Sequence, residues 1–364
     1  MTRPLKLYVN PQLVDNNLSY TPFLFPFWQP IIKETTPFSS AVWKQYAFDT
    51  SCYGLVDEAA EADFILLPHR YWLLRRKNPD LLHTWVTEAH KTGKPLLIDA
   101  HGDSDADVPI DHAYILRTSQ YRFKLQPNEI ILPVFAEDLL AAYDGETSAA
   151  PRPKRTPPRI GFVGWADFPL KQSWKIFLKS LFYRCTSWVD HKYALFTPGV
   201  VLRKQILRSL ARSDAVIPNF LIRKTFSGHT STMSGDAHQL RIQFITNILE
   251  SEYSLAVKGN GNFSRRFYEI LSLGRIPLFI DTACVLPLEA IIDYHECCLF
   301  VDYHDLHRLD AIIAEFHKQL SPDAFLEMQQ KARDIFETYL RVDAFMPYLR
   351  DELFRKLETH EPNA

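Results

Sequence analysis

A chain of 364 residues is too long for one ordinary core and suits two domains. Its composition, 46% hydrophobic, 13% aromatic and 23% charged, excludes global disorder. With 41 basic against 43 acidic residues the net charge is −2, so no long-range field exists for gripping nucleic acid, and none is expected as a partner. Along the first half, short apolar runs between turn residues read as strands: 5–10, 62–69, 95–101, 113–118 and 130–135. A helical segment, 79–91, falls among them, and this alternation points to a parallel sheet covered on both faces. The aromatic stretch 20–32 reads as packing on the domain body, with a sugar-stacking wall or a membrane contact as alternatives.

Residues 146–159, "ETSAAPRPKRTPPR", are rich in proline, small and basic residues and read as an interdomain linker. Beyond it the alternation restarts. Strands are expected at 159–166, 192–196, 253–259, 275–281 and 297–303, helices at 170–187, 201–213 and 237–251, and helical stretches from 304 to 358. The expected division is residues 1–150 as a first Rossmann-like domain, 151–340 as a second, and 341–364 as a C-terminal helix free to pack back on the first. A cleft between two such halves is the natural ligand site.

Five scattered cysteines, without CxxC spacing, fit reduced packed thiols rather than a disulfide framework or a zinc site. The N-terminus turns polar too soon for a signal-peptide core, and no run reaches the ~18 apolar residues of a membrane span. The expectation is a cytoplasmic protein, with peripheral contact at the inner membrane face left open.

One stretch, 259–281, "GNGNFSRRFYEILSLGRIPLFID", carries chemistry. Gly259 and the polar loop through Asn262 let backbone amides approach an anion. A helix starting near Ser264 favours phosphate at its N-terminus, and Arg265 and Arg266 add forked donors. Glu269, three residues after Arg266, shares a helix face with it and suits a ribose diol. A serine-capped amphipathic helix with a surface Arg/Glu pair explains the same residues, and chemistry alone leaves both readings open.

Residues 253–287 resemble the signature of the exostosin-type (family 47) glycosyltransferases. The elements are Gly259, Ser264, Arg266, Glu269, Gly274, Ile276, Pro277 and Leu286 with Pro287; residues 56–72 are similar to that family's N-terminal strand region. The resemblance implies an α/β fold of GT-B type, two Rossmann-like domains facing a cleft. It also implies a nucleotide-diphosphate sugar, a UDP-sugar, held by the second domain, with Arg266 on the diphosphate and Glu269 on the ribose. Transfer to a saccharide or lipid-linked glycan acceptor, with inversion, and a place in polysaccharide biosynthesis follow as expectations. No cofactor or metal is required in that reading. Arg275 stands where the family commonly has cysteine. The alternatives are a non-catalytic nucleotide-sugar or glycan-binding protein, or a fucosyltransferase-like enzyme using a GDP-sugar. Ile270, directly after Glu269, departs from the lysine of the fucosyltransferase pattern.

The acceptor's proton needs a base from the first domain. The loop 98–112 follows a strand and offers His101 and Asp103 beside Gly102, although an ordinary acidic, solvated loop reads the same way. Its Asp-x-Asp spacing imitates a metal site, but a calcium loop fails, with Val108 and Tyr114 where Gly and Glu are needed. Gly164, after the first strand of the second domain, is placed against the donor. The polar loop 226–236 offers His229, Ser231 and Thr232 as further cleft residues.

Overall fold

The protein is described by a computed structural model covering residues 3–28, 42, 48–143, 150–167, 170–186, 190–223 and 235–360. Two separate sheets carry the fold. The first contains β1 (Leu5–Tyr8), β2 (Tyr53–Val56), β3 (Phe64–Leu66), β4 (Leu96–Asp99), β5 (Ala113–Arg117) and β6 (Glu129–Ile131), ordered 2-1-3-4-5-6. The second contains β7 (Arg159–Trp165), β8 (Ile217–Arg223), β9 (Tyr253–Ala256), β10 (Ile276–Asp281) and β11 (Leu299–Asp302), ordered 11-10-9-7-8. All their pairings are parallel. In each, the order reverses beside the first strand, between β1 and β3 and between β7 and β9, and such a reversal opens a crevice at the carboxyl ends. The fold is the expected α/β arrangement of two Rossmann-like units, the GT-B layout.

Helices complete the layers: α1 (Tyr71–Lys77) and α2 (Pro79–Thr92) in the first half, then α3 (Leu139–Tyr143), α4 (Leu170–Thr186), α5 (Gly199–Leu210), α6 (Ala237–Leu249) and α7 (Arg265–Ser272). α8 (Leu309–Gln319), α9 (Pro322–Ile335) and α10 (Val342–His360) close the chain. The central strands β3, β4, β5 and β9 are buried at every position, because a parallel sheet has helices on both faces and its strands lose the polar alternation.

The chain crosses twice between the core of the first half and the core that contains α7 in the second. Leu132 belongs to the first core and Ala136 to the second; Leu340 belongs to the second and Val342 to the first. The crossings lie side by side, with the Phe135 and Phe345 rings 6.1 Å apart. Residues of α10 then fill the first core, and Tyr114 donates its hydroxyl to the Lys356 carbonyl at 3.0 Å.

Three sequence readings change. The run 192–196 is not a strand but part of a 3-10 turn, His191–Phe196, capped by the Asp190 side chain accepting from the Lys192 amide. A five-residue apolar run has no period of its own, and the cap decides it. β8 escaped notice because it is an edge strand, largely exposed and holding Pro218, a residue that edges tolerate. The proline-rich stretch, over its described part, is laid along the second half rather than strung between halves. Arg152 pairs with Glu252 at 2.6 Å, Lys154 donates to the Leu320 carbonyl at 2.7 Å, and buried His317 on α8 holds the Arg155 carbonyl at 2.8 Å. The aromatic segment packs as expected over its described part: Phe23 and Leu24 are buried, and Tyr20 meets Trp28 edge-on.

The first crossing is clamped just beyond its end. Asp138 accepts from both terminal nitrogens of Arg333, at 2.7 and 2.9 Å, and both side chains are buried. Replacing Asp138 by alanine leaves that guanidinium buried beside one remaining carboxylate, Glu337. The expected loss is roughly 3–5 kcal/mol, read as a lowered midpoint in urea unfolding.

Candidate active site at the interdomain cleft

The loop expected to hold the donor follows β9, and α7 follows the loop. Gly261 in that loop is packed against the first half: a Cβ there would lie 2.7 Å from the Asp103 Cα and 2.8 Å from the Asp103 carbonyl oxygen. Only a residue without a side chain permits this approach. The loop of the proposed base and the loop of the proposed donor site therefore touch.

On the first-half side, Asp99 ends β4 fully buried and accepts from Thr21 Oγ1 at 2.6 Å and from His101 Nδ1 at 2.6 Å. Burial pushes the Asp99 carboxyl up, but His101 and Thr21 outweigh it and hold it below the usual range. On the far side of the half-buried imidazole, Arg70 NH1 lies 3.1 Å from Nε2. An arginine can only donate and a carboxylate only accept, so neutral His101 carries its proton on Nδ1 and keeps a lone pair on Nε2. Asp103 is exposed. The loop is tied down rather than free: Gly102 exchanges hydrogen bonds with Thr118, Asp105 pairs with Lys124 at 2.8 Å, and Arg117 donates to the Ala106 carbonyl at 2.8 Å. Among the described residues no group of three or more His, Cys, Asp or Glu converges to hold a metal.

On the second-half side, Arg266 reaches back from α7 to the switch point. It donates to the Val163 carbonyl on β7 and, at 3.4 Å, to the Leu255 carbonyl on β9, and its guanidinium stacks 4.3 Å from the Phe162 ring centroid. Gly164, with φ +152°, makes room: a Cβ there would lie 2.7 Å from Arg266 NH2. Arg203 from α5 comes alongside, donating to the Trp165 carbonyl at 3.3 Å and the Lys258 carbonyl at 2.8 Å. Burial pushes Arg266 down to about 9, with Arg203 adding to the effect, and pushes Arg203 down to about 10. Both Nε atoms are buried without a hydrogen-bond partner, and neither residue forms an ion pair with a described residue. Two such guanidiniums at the carboxyl end of a sheet are suited to an anion. A cavity of about 550 Å³ at the ends of β10 and β11 is lined by Asp281, Asp302 and the Arg122–Glu289 ion pair.

Other expected donor residues sit differently. Glu269 is buried, accepting from Arg241 NH1 at 2.9 Å, with Arg265 Nε at 3.5 Å; Arg241 also donates to Glu137 at 2.9 Å. Burial pushes Glu269 up, yet Arg241 and Arg265 hold it below the usual range. The acid-base pair on α7 is thus Arg265 with Glu269, one turn apart, while Arg266 turns away toward the strands. Ser264 is the N-cap residue, but its hydroxyl makes no capping bond. Asn262 is a joint between halves. Its amide donates to Ser119 Oγ at 2.8 Å, its side chain to the Gln120 and Thr282 carbonyls at 3.2 Å, and it accepts from Thr282 Oγ1 at 2.6 Å. Gly259 is half-buried and donates its amide to the Phe263 carbonyl at 3.0 Å. His229, Ser231 and Thr232 lie outside the described residues. Arg203, Lys258, Arg241 and Glu137 carry no local motif; only the spatial meeting of α5, β9 and α6 reveals them.

Residues 197–316 match the model of the Exostosin GT47 domain. Over those residues the chain resembles an exostosin-type glycosyltransferase domain. The match runs from the start of α5 through α8 and includes Arg203, Lys258, Arg266 and Glu269, so the exostosin resemblance read from 253–287 holds over a longer stretch. No curated protein matches the chain. Among solved structures, a glycosyltransferase from Rickettsia africae ESF-5 is similar at 10% identity and TM-score 0.43, over 98% of this chain and 100% of that one. Anabaena Alr3699/HepE, solved in complex with UDP-glucose, is similar at 10% identity and TM-score 0.39, over 96% and 99%. Among the described residues no helix is long and apolar enough to cross a membrane.

Lys258 gives the exostosin domain a pH signature. Its ammonium is buried at the end of β9, donating to the Tyr121 hydroxyl at 3.2 Å and to the Leu195 carbonyl, and burial pushes its pKa down to about 8. The unfolded value is about 10.4, so between these two pH values the unfolded chain binds more protons and this residue makes stability rise with pH. Lys258→Met is expected to remove about 3 kcal/mol of that rise, seen by comparing wild-type and variant urea unfolding across the window.

Proposed function

We propose that the protein transfers a sugar from a UDP-sugar to a saccharide or lipid-linked glycan acceptor, with inversion and without a metal. The observation that carries this reading is the Asp99–His101 pair, on a loop that abuts the donor loop at Gly261. His101 Nε2 takes the proton of the acceptor hydroxyl as its oxygen attacks the anomeric carbon. Asp99 fixes the ring and stabilises the imidazolium that results. Arg266 and Arg203 receive the charge that develops on the departing diphosphate, in place of a metal. Arg70, exposed, swings off Nε2 as the acceptor enters. UDP, inversion and the glycan acceptor rest on the exostosin resemblance, and a cytoplasmic site of action with peripheral membrane contact belongs to the same proposal.

A second reading, a nucleotide-sugar-binding protein without turnover, is favoured by the Arg70 contact if it persists when ligand is bound.

Calorimetry and turnover separate the two. Arg266→Ala is expected to weaken UDP binding about 10- to 100-fold, a loss of about 1.4–2.8 kcal/mol. His101→Asn and Asp99→Asn are expected to keep that binding and lower kcat by about 10²- to 10⁴-fold. Binding without turnover in wild type, on a panel of sugar acceptors, would leave the second reading; no nucleotide binding would remove both.

A further inference from the structure

Helix α4 turns its apolar side to solvent. Trp174, Leu178, Leu181 and Phe182 fall at helical spacing on one face and are 64%, 45%, 43% and 61% exposed. Exposed Cys185 continues the same face. The opposite face meets the protein through Tyr183, whose ring tilts against Phe196 at 5.8 Å, and Phe196 packs edge-on to Tyr121 at 4.9 Å. An ordinary surface helix turns polar residues to solvent.

The sequence of the helix carries charge of one sign. Between Asp167 and Asp190 the sequence contains Lys171, Lys175, Lys179 and Arg184 and no acidic residue. Lys179 is exposed on the helix, and exposed Lys192 adds a cation beside the neighbouring ring of Phe123. Phe123, Leu125 and Tyr193 are themselves 42%, 40% and 41% exposed, so apolar surface continues past the helix.

Area and charge select the occupant. The four apolar side chains of α4 present on the order of 400 Å². A stable protein interface takes ~800 Å² from each partner, and a second copy laid on this face would set lysine against lysine. A bilayer with anionic headgroups accepts the apolar stripe among its acyl chains and the ammonium groups at its surface, with lysine stems spanning the two. We propose that α4 lies in the interface of an anionic lipid bilayer. The chain of rings from Tyr183 through Phe196 to Tyr121 leads from that helix to Lys258 at the end of β9, so a docked α4 brings the cleft close to the membrane. The docking does not depend on His101 acting as a base.

The test is co-sedimentation of the full chain with vesicles of phosphatidylcholine alone, or with about a third phosphatidylglycerol. Wild type is expected to pellet with the mixed vesicles, and to do so less as salt rises. The double substitution Leu178→Ser with Phe182→Ser is expected to lower that partition about 10-fold or more, and Lys179→Glu to lower it more weakly. Unchanged thermal melting of each variant keeps the comparison one of surface chemistry. Absence of binding to the mixed vesicles, or binding untouched by the double substitution, overturns the proposal. So does a dimer, seen by light scattering, that the double substitution abolishes while vesicles are ignored.

Discussion

The structure depends on a buried run of charge. Glu137, Arg241, Glu269 and Arg265 lie in sequence, carboxylate against guanidinium, joining the first crossing of the chain to α6 and to the donor helix α7. Glu137, Arg241 and Glu269 are taken out of water at considerable cost, and the arrangement is tolerable only because every member has an opposite neighbour. Asp138 with Arg333 extends it to α9. The result fixes the helix that carries Arg266 at one rotation and one height relative to the sheet. The guanidiniums of Arg266 and Arg203 are then held at the switch point between β7 and β9 without an ion-pair partner among the described residues.

The two halves contribute unlike chemistry to the same cleft. The first supplies a carboxylate and an imidazole whose tautomer is set by its neighbours. The second supplies cations pushed toward their neutral forms by burial. In the proposed mechanism neither half is complete alone, since a base without a bound sugar and an anion site without a base perform no transfer. Asn262 matters in this setting as a joint. By joining Ser119 and Gln120 to Thr282, it keeps the two contributions in register.

Much of this was legible in the sequence. Apolar runs ended by turn residues gave nearly every central strand, because buried parallel strands leave an unbroken apolar signature. Gly164, Gly259, Arg266, Glu269 and His101 were visible as residue types at informative places. What stayed hidden has a physical cause in each case. β2 and β8 are edge strands without that signature. The 3-10 turn at 191–196 hinges on one capping aspartate. Glu269 looked like a free helix carboxylate because Arg241 is 28 positions away, and Arg203 is 63 positions before Arg266. The proline-rich stretch looked like a tether because composition reports that a segment cannot make a core, not that it lies on one. The polarity of α4, apolar side outward, appears only when its packing partners are known.

The paired crossings at Phe135 and Phe345 bear on how the protein comes apart and moves. Two backbones passing side by side act as a narrow strap rather than a swivel. Relative rotation of the halves is restricted to turning about that strap, with the largest travel at the side of the cleft farthest from it. A protease that severs one backbone there leaves the halves joined through the other. Physical separation of the two sheets therefore requires two cuts, or unfolding of α10 out of the first core.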